Sequence, residues 1–155
     1  MGCVIILNII IGVLRNYTLK KMKILLAEKG KNLISALLLV LTSIKNTEVK
    51  EIDLILNVDR VDCLYKELKK ERPDILIING GFVDHITRES VLVLQKLYPA
   101  MKILILSIDP GMERKYLEVG IGDFIIKGDS AEVFYNSMVS FLKKEQKRFQ
   151  KISTK

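Results

Sequence analysis

An uninterrupted run of branched apolar residues, Ile75–Ile78, lies between Pro73 and the polar sequence Asn79-Gly80-Gly81. Proline ends any helix that precedes it, because its ring cannot continue the helical hydrogen-bond ladder. A short, fully apolar run rich in β-branched residues is typical of a strand buried on both faces, as in a parallel sheet. Asn79 therefore lies at the carboxyl end of a predicted strand, which is the edge where open α/β sheets bind their ligands.

Strand and helix patterns alternate along the chain from Lys23 onward. Strands separated by helices of this size must be parallel and joined by right-handed crossovers. The sequence therefore predicts an α/β fold, a single (βα)5 three-layer sandwich with a parallel sheet in the order 2-1-3-4-5 and the second strand at an edge. The predicted strands are 23–27, 51–56, 75–78, 102–106 and 123–126, and the predicted helices are 32–44, 59–71, 87–97, 113–119 and 130–146.

The net charge of +7 on 155 residues is concentrated at the two ends of the chain. Residues 1–21 hold three basic residues and no acid, and residues 143–155 hold six basic residues and one acid. The body, 22–142, holds 16 basic and 17 acidic residues. A neutral body gives no basic face for reading nucleic acid, so no nucleic-acid partner is expected. The basic ends are compatible with weak contact with acidic partners or membrane surfaces.

The first 21 residues contain an apolar stretch, 3–14, that is shorter than the roughly 20 residues a membrane-spanning helix needs. It lacks the basic n-region and the cleavage site of a signal peptide. We consider it a start codon assigned too far upstream of Met22, an additional structural segment or a weak membrane anchor. The predicted divisions are an N-terminal extension (1–21), a domain (22–143) and a basic C-terminal tail (144–155). No stable membrane span is expected.

Cysteine and histidine residues give no metal or redox motif. Cys3 and Cys63 lie in unrelated contexts without a CxxC spacing, and the single histidine, His85, has no second ligand close in sequence. We interpret the cysteines as reduced thiols, which predicts a cytoplasmic protein.

Polar residues follow the carboxyl ends of four predicted strands. Glu28 and Lys29 follow the first strand, and Asn79 ends the third. Ser107 follows the fourth strand and Lys127 the fifth. In the order 2-1-3-4-5 the crevice lies between the first and third strands, with the fourth and fifth alongside. The topology therefore predicts that these five residues gather around one site.

The strand ends resemble those of the receiver domains of two-component response regulators. Ile24–Lys29 is similar to the family's apolar strand that ends in two acids, and Pro73–Asn79 is similar to the strand that ends in the phospho-accepting aspartate. Ile103–Ser107 resembles the strand that ends in Ser or Thr, and Gly120–Lys127 resembles the Gly-Ala-x-x-aromatic-x-x-Lys signature. The resemblance covers nearly all of 22–143 and implies a flavodoxin-like, CheY-like fold.

The sequence departs from the family's pattern at the acids. A working receiver needs two or three carboxylates to hold Mg²⁺ and a carboxylate nucleophile to form an acyl phosphate. Glu28 keeps one acid, Lys29 replaces the second by a cation, and Asn79 replaces the nucleophile by an amide. Phosphoryl transfer to Asn79 is chemically excluded, and Mg²⁺ binding is expected to be lost. The resemblance therefore implies a degenerate receiver, or pseudo-receiver, without a cofactor.

Lys29 has two interpretations. Its ammonium group either takes the place of the missing metal, bonded to Glu28 and to the amide oxygen of Asn79, or belongs to a solvated loop lysine.

The resemblance implies that Ser107 and Lys127 would contact a phosphoryl group and that Phe124 is the aromatic that swings between exposed and buried states. The residues themselves are equally compatible with simpler roles. Ser107 would then satisfy local backbone groups, Lys127 would pair with Glu28, and Phe124 would be fixed in the core.

We therefore expect a non-enzymatic, phosphorylation-independent protein-interaction module in two-component signal transduction. The family docks and dimerises through its fourth helix, fifth strand and fifth helix. The resemblance places Tyr116, Glu118, Tyr135 and Val139 on this face, where the partner would be a signalling protein or a second copy of the chain.

Two other functions remain open from the residues. The first is a receiver phosphorylated at another acceptor, Asp84. The second is a nucleotide- or anion-binding module that uses Lys29 and Lys127 with the amides of Gly80-Gly81.

Overall fold

The structure, a computed structural model, describes residues 20–79, 82 and 87–153. The apolar N-terminal stretch, Cys3, Asp84 and His85 lie outside the described residues. Strands and helices alternate along the described chain. They are β1 (Met22–Ala27), α1 (Lys31–Thr47), β2 (Ile52–Val58), α2 (Val61–Glu71), β3 (Ile75–Asn79), α3 (Arg88–Leu97), β4 (Lys102–Ser107), α4 (Gly111–Leu117), β5 (Asp123–Ile126) and α5 (Ala131–Ser153).

The five strands of the described chain form one parallel sheet in the order β2-β1-β3-β4-β5, which confirms the predicted fold class and strand order, with β2 at an edge. The register positions the strand ends. Ala27 of β1 is opposite Ile78 of β3, and Ile78 is opposite Ile105 of β4. Glu28 and Asn79, the residues that come next on β1 and β3, therefore lie side by side at the carboxyl edge of the sheet.

Alternate residues of each strand point to opposite faces of the sheet and build two separate cores. Leu25, Leu76 and Ile105 contribute to a first core cluster with residues of α2, α3 and α4. Their chain neighbours belong to a second core cluster with residues of α1 and α5. Both faces of the sheet are covered, which explains why the central strands are apolar without a polar break.

The fifth helix is longer than the sequence predicts. It continues past 146 to Ser153, and its last turns pack against the domain. Glu145 is buried at 2% exposure and forms an ion pair with Arg148 at 2.6 Å. Arg148 also donates a hydrogen bond to the carbonyl oxygen of Ala100 at 3.3 Å. Residues 144–153, predicted as a basic C-terminal tail, thus belong to helix α5.

Helix α1 carries the longest apolar sequence among the described helices, Leu37–Leu41, but only one stripe of it faces the core. Leu37, Leu41 and Ile44 are buried, whereas Leu39 is 72% exposed. Within the described residues no helix combines the length and the apolar character needed to cross a bilayer.

The two leucines of α1 provide a matched test of this packing. We expect Leu41→Ala to lower the free energy of unfolding by about 2–5 kcal/mol, because it removes a fully buried side chain and leaves a cavity. Leu39→Ala removes the same atoms from an exposed position and is expected to change that free energy by no more than about 0.5 kcal/mol. Urea unfolding of the two variants checks this, and equal losses would contradict the assigned face.

Candidate functional site

The carboxyl ends of β1, β3 and β5 bring three predicted side chains into one chain of hydrogen bonds. The side-chain amide nitrogen of Asn79, Nδ2, donates to Oε2 of Glu28, and Nζ of Lys127 donates to Oδ1 of Asn79. The other Glu28 oxygen, Oε1, accepts from the backbone N–H of Gly30 at 2.7 Å. The Asn79 amide therefore bridges a carboxylate and an ammonium group, with its donor end toward the anion and its acceptor end toward the cation.

Burial makes these contacts important for the fold. Glu28 is 2% exposed and Asn79 is fully buried, whereas Lys127 is half-buried. A buried carboxylate or amide without a partner would cost several kcal/mol, so the bridge stabilises groups that the fold removes from water. Burial lowers the pKa of Lys127 below its ordinary value, and the nearby charge of Glu28 opposes that shift.

The backbone of the Glu28 loop is also fixed. The N–H of Glu28 donates to the carbonyl oxygen of Val58 at 3.0 Å, which continues the β1–β2 pairing by one residue. The side chain of Asn57 donates to the carbonyl oxygen of Glu28 at 3.1 Å. Glu28 is thus held by its backbone on one side and by its carboxylate on the other.

Lys29 does not occupy the place of a metal ion. Its side chain is exposed, and its ammonium group lies 6.0 Å from the centre of the Phe82 ring. The ammonium that meets the Asn79 oxygen belongs to Lys127. The hypothesis that Lys29 bonds to Glu28 and Asn79 is therefore wrong, and the structure agrees with the solvated lysine. Since desolvating an ammonium group costs free energy, a position that covers an aromatic ring and remains in water is favourable.

Ser107 forms hydrogen bonds with backbone groups of neighbouring loops. Its hydroxyl oxygen accepts from the N–H of Asp109 at 3.1 Å, and its carbonyl oxygen accepts from the N–H of Lys127 at 2.8 Å. Ser107 therefore shapes the loop after β4 and holds the backbone of Lys127 in place. Phe124 is half-buried and packs against the first core cluster.

The four residues expected on the interaction face differ in their exposure. Tyr116 is 2% exposed and belongs to the first core cluster. Tyr135 and Val139 are half-buried against the second core cluster, and the Tyr135 hydroxyl lies 3.4 Å from that of Thr47 in α1. Glu118 is the exposed member of the set. Tyr116 was predicted on the interaction face, but its side chain is buried in the core and is not presented to a partner.

A shallow groove between β5 and α5 was not anticipated from the sequence. Phe124 and Ile125 of β5 and Val133 and Ser140 of α5 contribute to its lining. The signal in the sequence is a row of small polar residues on α5, Asn136, Ser137 and Ser140. Because small side chains leave room between a helix and the edge of a sheet, this row indicates an open groove.

The donor set of the site does not fit Mg²⁺. Mg²⁺ requires oxygen ligands in near-octahedral geometry, usually including one or two carboxylates. Both oxygens of Glu28 accept hydrogen bonds from the protein, and the Asn79 oxygen faces an ammonium group. In the part of the chain that the structure describes, no three His, Cys, Asp or Glu side chains cluster so as to hold a metal ion.

Solved structures of similar fold include several signalling proteins. The receiver domain of RcsB from Salmonella enterica serovar Typhimurium, solved with the phosphomimetic beryllofluoride, aligns with a TM-score of 0.62 and 15% identity over 83% of this chain and 98% of its own. An orphan response regulator of H. pylori aligns with a TM-score of 0.62 and 16% identity over 82% of this chain and 98% of its own. The chain has the fold of response-regulator receiver domains.

The receiver fold is not confined to proteins named as regulators. A candidate pilus assembly-related protein of Burkholderia pseudomallei aligns with a TM-score of 0.66 and 16% identity over 84% of this chain and 92% of its own. No protein-family model matches the sequence, and no curated protein matches it. The likeness therefore lies in the three-dimensional structure.

A double-mutant cycle measures the bridge within this receiver fold. We expect Glu28→Gln and Lys127→Gln each to destabilise the protein, since each leaves a partly desolvated charge without its counterpart. The coupling free energy between the two is expected to be about 1–2 kcal/mol. It should fall when the cycle is repeated in an Asn79→Leu background, where the amide is missing.

The exposed pair Arg114 and Glu118, joined at 3.6 Å, provides the control cycle. Because both side chains are solvated, their coupling should be much smaller than that of Glu28 and Lys127. An unchanged Glu28–Lys127 coupling in the Asn79→Leu background would contradict the bridging role of Asn79.

Proposed function

We propose that this chain is a signalling receiver module that works without phosphorylation at its strand-end pocket. The observation that carries the proposal is the buried Glu28–Asn79–Lys127 network, in which an amide replaces the nucleophilic carboxylate. Structural similarity to regulators such as the RcsB receiver domain supports a role in signal transduction.

The chemistry of Asn79 argues against phosphoryl transfer. A carboxylate attacks phosphorus with a full negative charge, whereas the amide oxygen carries a partial charge only. The hydrogen bond from Lys127 draws electron density further from that oxygen. The amide nitrogen has a delocalised lone pair and donates to Glu28, so it is not a nucleophile either.

Electrostatics also argue against a divalent cation in the pocket. Glu28 contributes one negative charge, and Lys29 and Lys127 contribute two positive charges. Charges near a protein surface interact by several kcal/mol over about 4 Å at an effective dielectric constant of about 20. We infer that Mg²⁺ is not retained and that the Lys127 ammonium group neutralises Glu28 instead.

The function that remains for such a domain is non-enzymatic binding of a protein. We propose that the partner, a signalling protein or a second copy of the chain, contacts the face that includes Glu118 and the groove between β5 and α5. Val133, 48% exposed, and the half-buried Phe124 give the groove apolar contact area. Small polar residues such as Ser140 leave space for a side chain of the partner.

Acetyl phosphate tests the absence of phosphorylation. After incubation of the full chain with acetyl phosphate and Mg²⁺, intact-mass spectrometry should show the unmodified mass alone. The variant Lys29→Asp/Asn79→Asp restores both acids that the family pattern requires at these positions and is expected to gain one phosphate under the same conditions. This comparison separates a degenerate pocket from a failed labelling reaction.

Asp84→Ala provides the second control. A phosphate that appears on the wild type and disappears in Asp84→Ala would contradict the proposal and assign phosphorylation to Asp84. A phosphate that survives this substitution would contradict it as well, and peptide mapping would then locate the acceptor.

A further inference from the structure

The net charge of the chain lies at one end of the folded domain. In a parallel βα fold the carboxyl ends of the helices meet the amino ends of the strands at one edge of the sheet. We name this end the amino-edge surface, and it lies opposite the Glu28–Asn79–Lys127 pocket. It consists of residues 20–23, 45–51, 67–74, 96–102, 118–123 and 143–152.

These segments hold fifteen basic and eight acidic residues, whereas the remainder of the sequence holds ten of each. The whole net charge of +7 therefore belongs to the amino-edge surface. Counting charges along the chain conceals this, because the segments are separated in sequence and meet in the fold.

Direct contacts join these segments to one another. The N–H of Met22 donates a hydrogen bond to the Glu51 carbonyl oxygen at 2.7 Å, and the N–H of Lys102 donates to the Asp74 carbonyl oxygen at 2.9 Å. Near the end of α5, Arg148 donates to the Ala100 carbonyl oxygen at 3.3 Å, and the Lys20 ammonium group lies 5.0 Å from the centre of the Phe149 ring.

The helix macrodipole accounts for part of this charge, since cations stabilise the carboxyl ends of helices. Lys45, Lys69, Lys70 and Lys96 lie in the last turns of α1, α2 and α3 and fit that explanation. Lys20, Lys21, Lys50 and Lys102 lie outside the helices. They place additional positive charge at the same edge without stabilising a helix end, so the macrodipole does not explain the whole surface.

Most acidic residues of the amino-edge surface form ion pairs with basic residues of the same surface. Glu48 pairs with Lys143 at 2.6 Å, and Glu145 pairs with Arg148 at 2.6 Å. Several lysines are exposed, and the contacts of the described residues place none of them in an ion pair. They are Lys50, Lys69, Lys96 and Lys147.

Exposed apolar side chains accompany these cations. Leu97, at the end of α3, is 61% exposed, and Ile152, in the last turn of α5, is 63% exposed. Helix α5 reaches this far because its 23 residues extend about 34 Å, against roughly 13 Å for the four residues of β5. Cations around protruding aliphatic side chains are the combination that binds the surface of an anionic bilayer.

We propose that the amino-edge surface binds anionic lipid bilayers. The cations belong to separate segments spread over one end of the domain, which suits a planar array of phosphates. Lys20 covers the ring of Phe149, so this aromatic is not presented for stacking on nucleic-acid bases. Docking in this orientation leaves the pocket and its loops facing away from the membrane.

Vesicle cosedimentation of the full chain tests the proposal. Binding to vesicles of equimolar phosphatidylglycerol and phosphatidylcholine should exceed binding to phosphatidylcholine alone and weaken as salt is added. The triple variant Lys69→Gln/Lys96→Gln/Lys147→Gln should bind the anionic vesicles roughly a hundredfold more weakly, at about fivefold for each cation removed. The matched variant Lys31→Gln/Arg60→Gln/Lys66→Gln removes the same charge elsewhere and should bind like the wild type.

Three results would overturn the proposal. The first is an equal loss of binding to the anionic vesicles in the two triple variants. The second is vesicle binding that persists in the amino-edge variant and disappears when residues 1–19 are removed. The third is a polyanion site, shown by duplex DNA that binds as tightly as the vesicles and displaces them. Circular dichroism confirms that the variants fold, and none of these outcomes depends on whether the chain accepts a phosphate.

Discussion

The amide of Asn79 holds the carboxyl edge of the sheet together. It is fully buried between Glu28, which is almost fully buried, and Lys127, whose pKa is lowered by burial. An amide is suited to this position because it donates from one end and accepts at the other. A carboxylate there would place two negative charges side by side and would need a metal ion or a proton between them. The amide instead links Glu28, which follows β1, to Lys127, which follows β5.

This arrangement changes what the receiver fold can do. Where a carboxylate pocket exchanges a metal ion and a phosphoryl group with solvent, the network here is made of groups that belong to the chain. Its backbone is fixed by pairing of Glu28 with Val58 and of Lys127 with Ser107. Under the proposed function, the pocket would stay in one state, and regulation would come from the availability of a partner or of a surface. The charged amino-edge surface lies at the opposite end of the strands and would act independently of the Glu28–Asn79–Lys127 pocket.

Much of the fold follows from local patterns in the sequence. The apolar run Ile75–Ile78 and its polar ending predict a central strand and a site at its carboxyl end, and helices between parallel strands fix the rest of the topology. The sequence also predicts that Glu28, Asn79 and Lys127 lie close together, because the carboxyl ends of parallel strands meet at the same edge of a sheet. The distribution of charge in space was not predictable in the same way, since it depends on which segments meet at an edge.

Other features depend on packing that a single sequence does not encode locally. The orientation of the short helix α4 against the sheet decides that Tyr116 is buried, and the sequence pattern does not show that orientation. The length of α5 depends on tertiary contacts of Glu145 and Arg148, two charged residues that a pattern of hydropathy assigns to solvent. Lys127, and not Lys29, contacts the side-chain oxygen of Asn79 because of the directions in which the two side chains point, and the sequence pattern does not show those directions.

The most direct test of the Glu28–Asn79–Lys127 pocket is an NMR titration of the full chain with Mg²⁺ and then with beryllofluoride. The spectra follow the side-chain amide of Asn79 and the backbone amides of β5 and α5. The structure predicts no specific shift of the Asn79 amide at either step and no change in α5. Saturable shifts at Asn79 that spread to α5 would show a pocket that binds a phosphoryl analogue and switches, and would contradict the account.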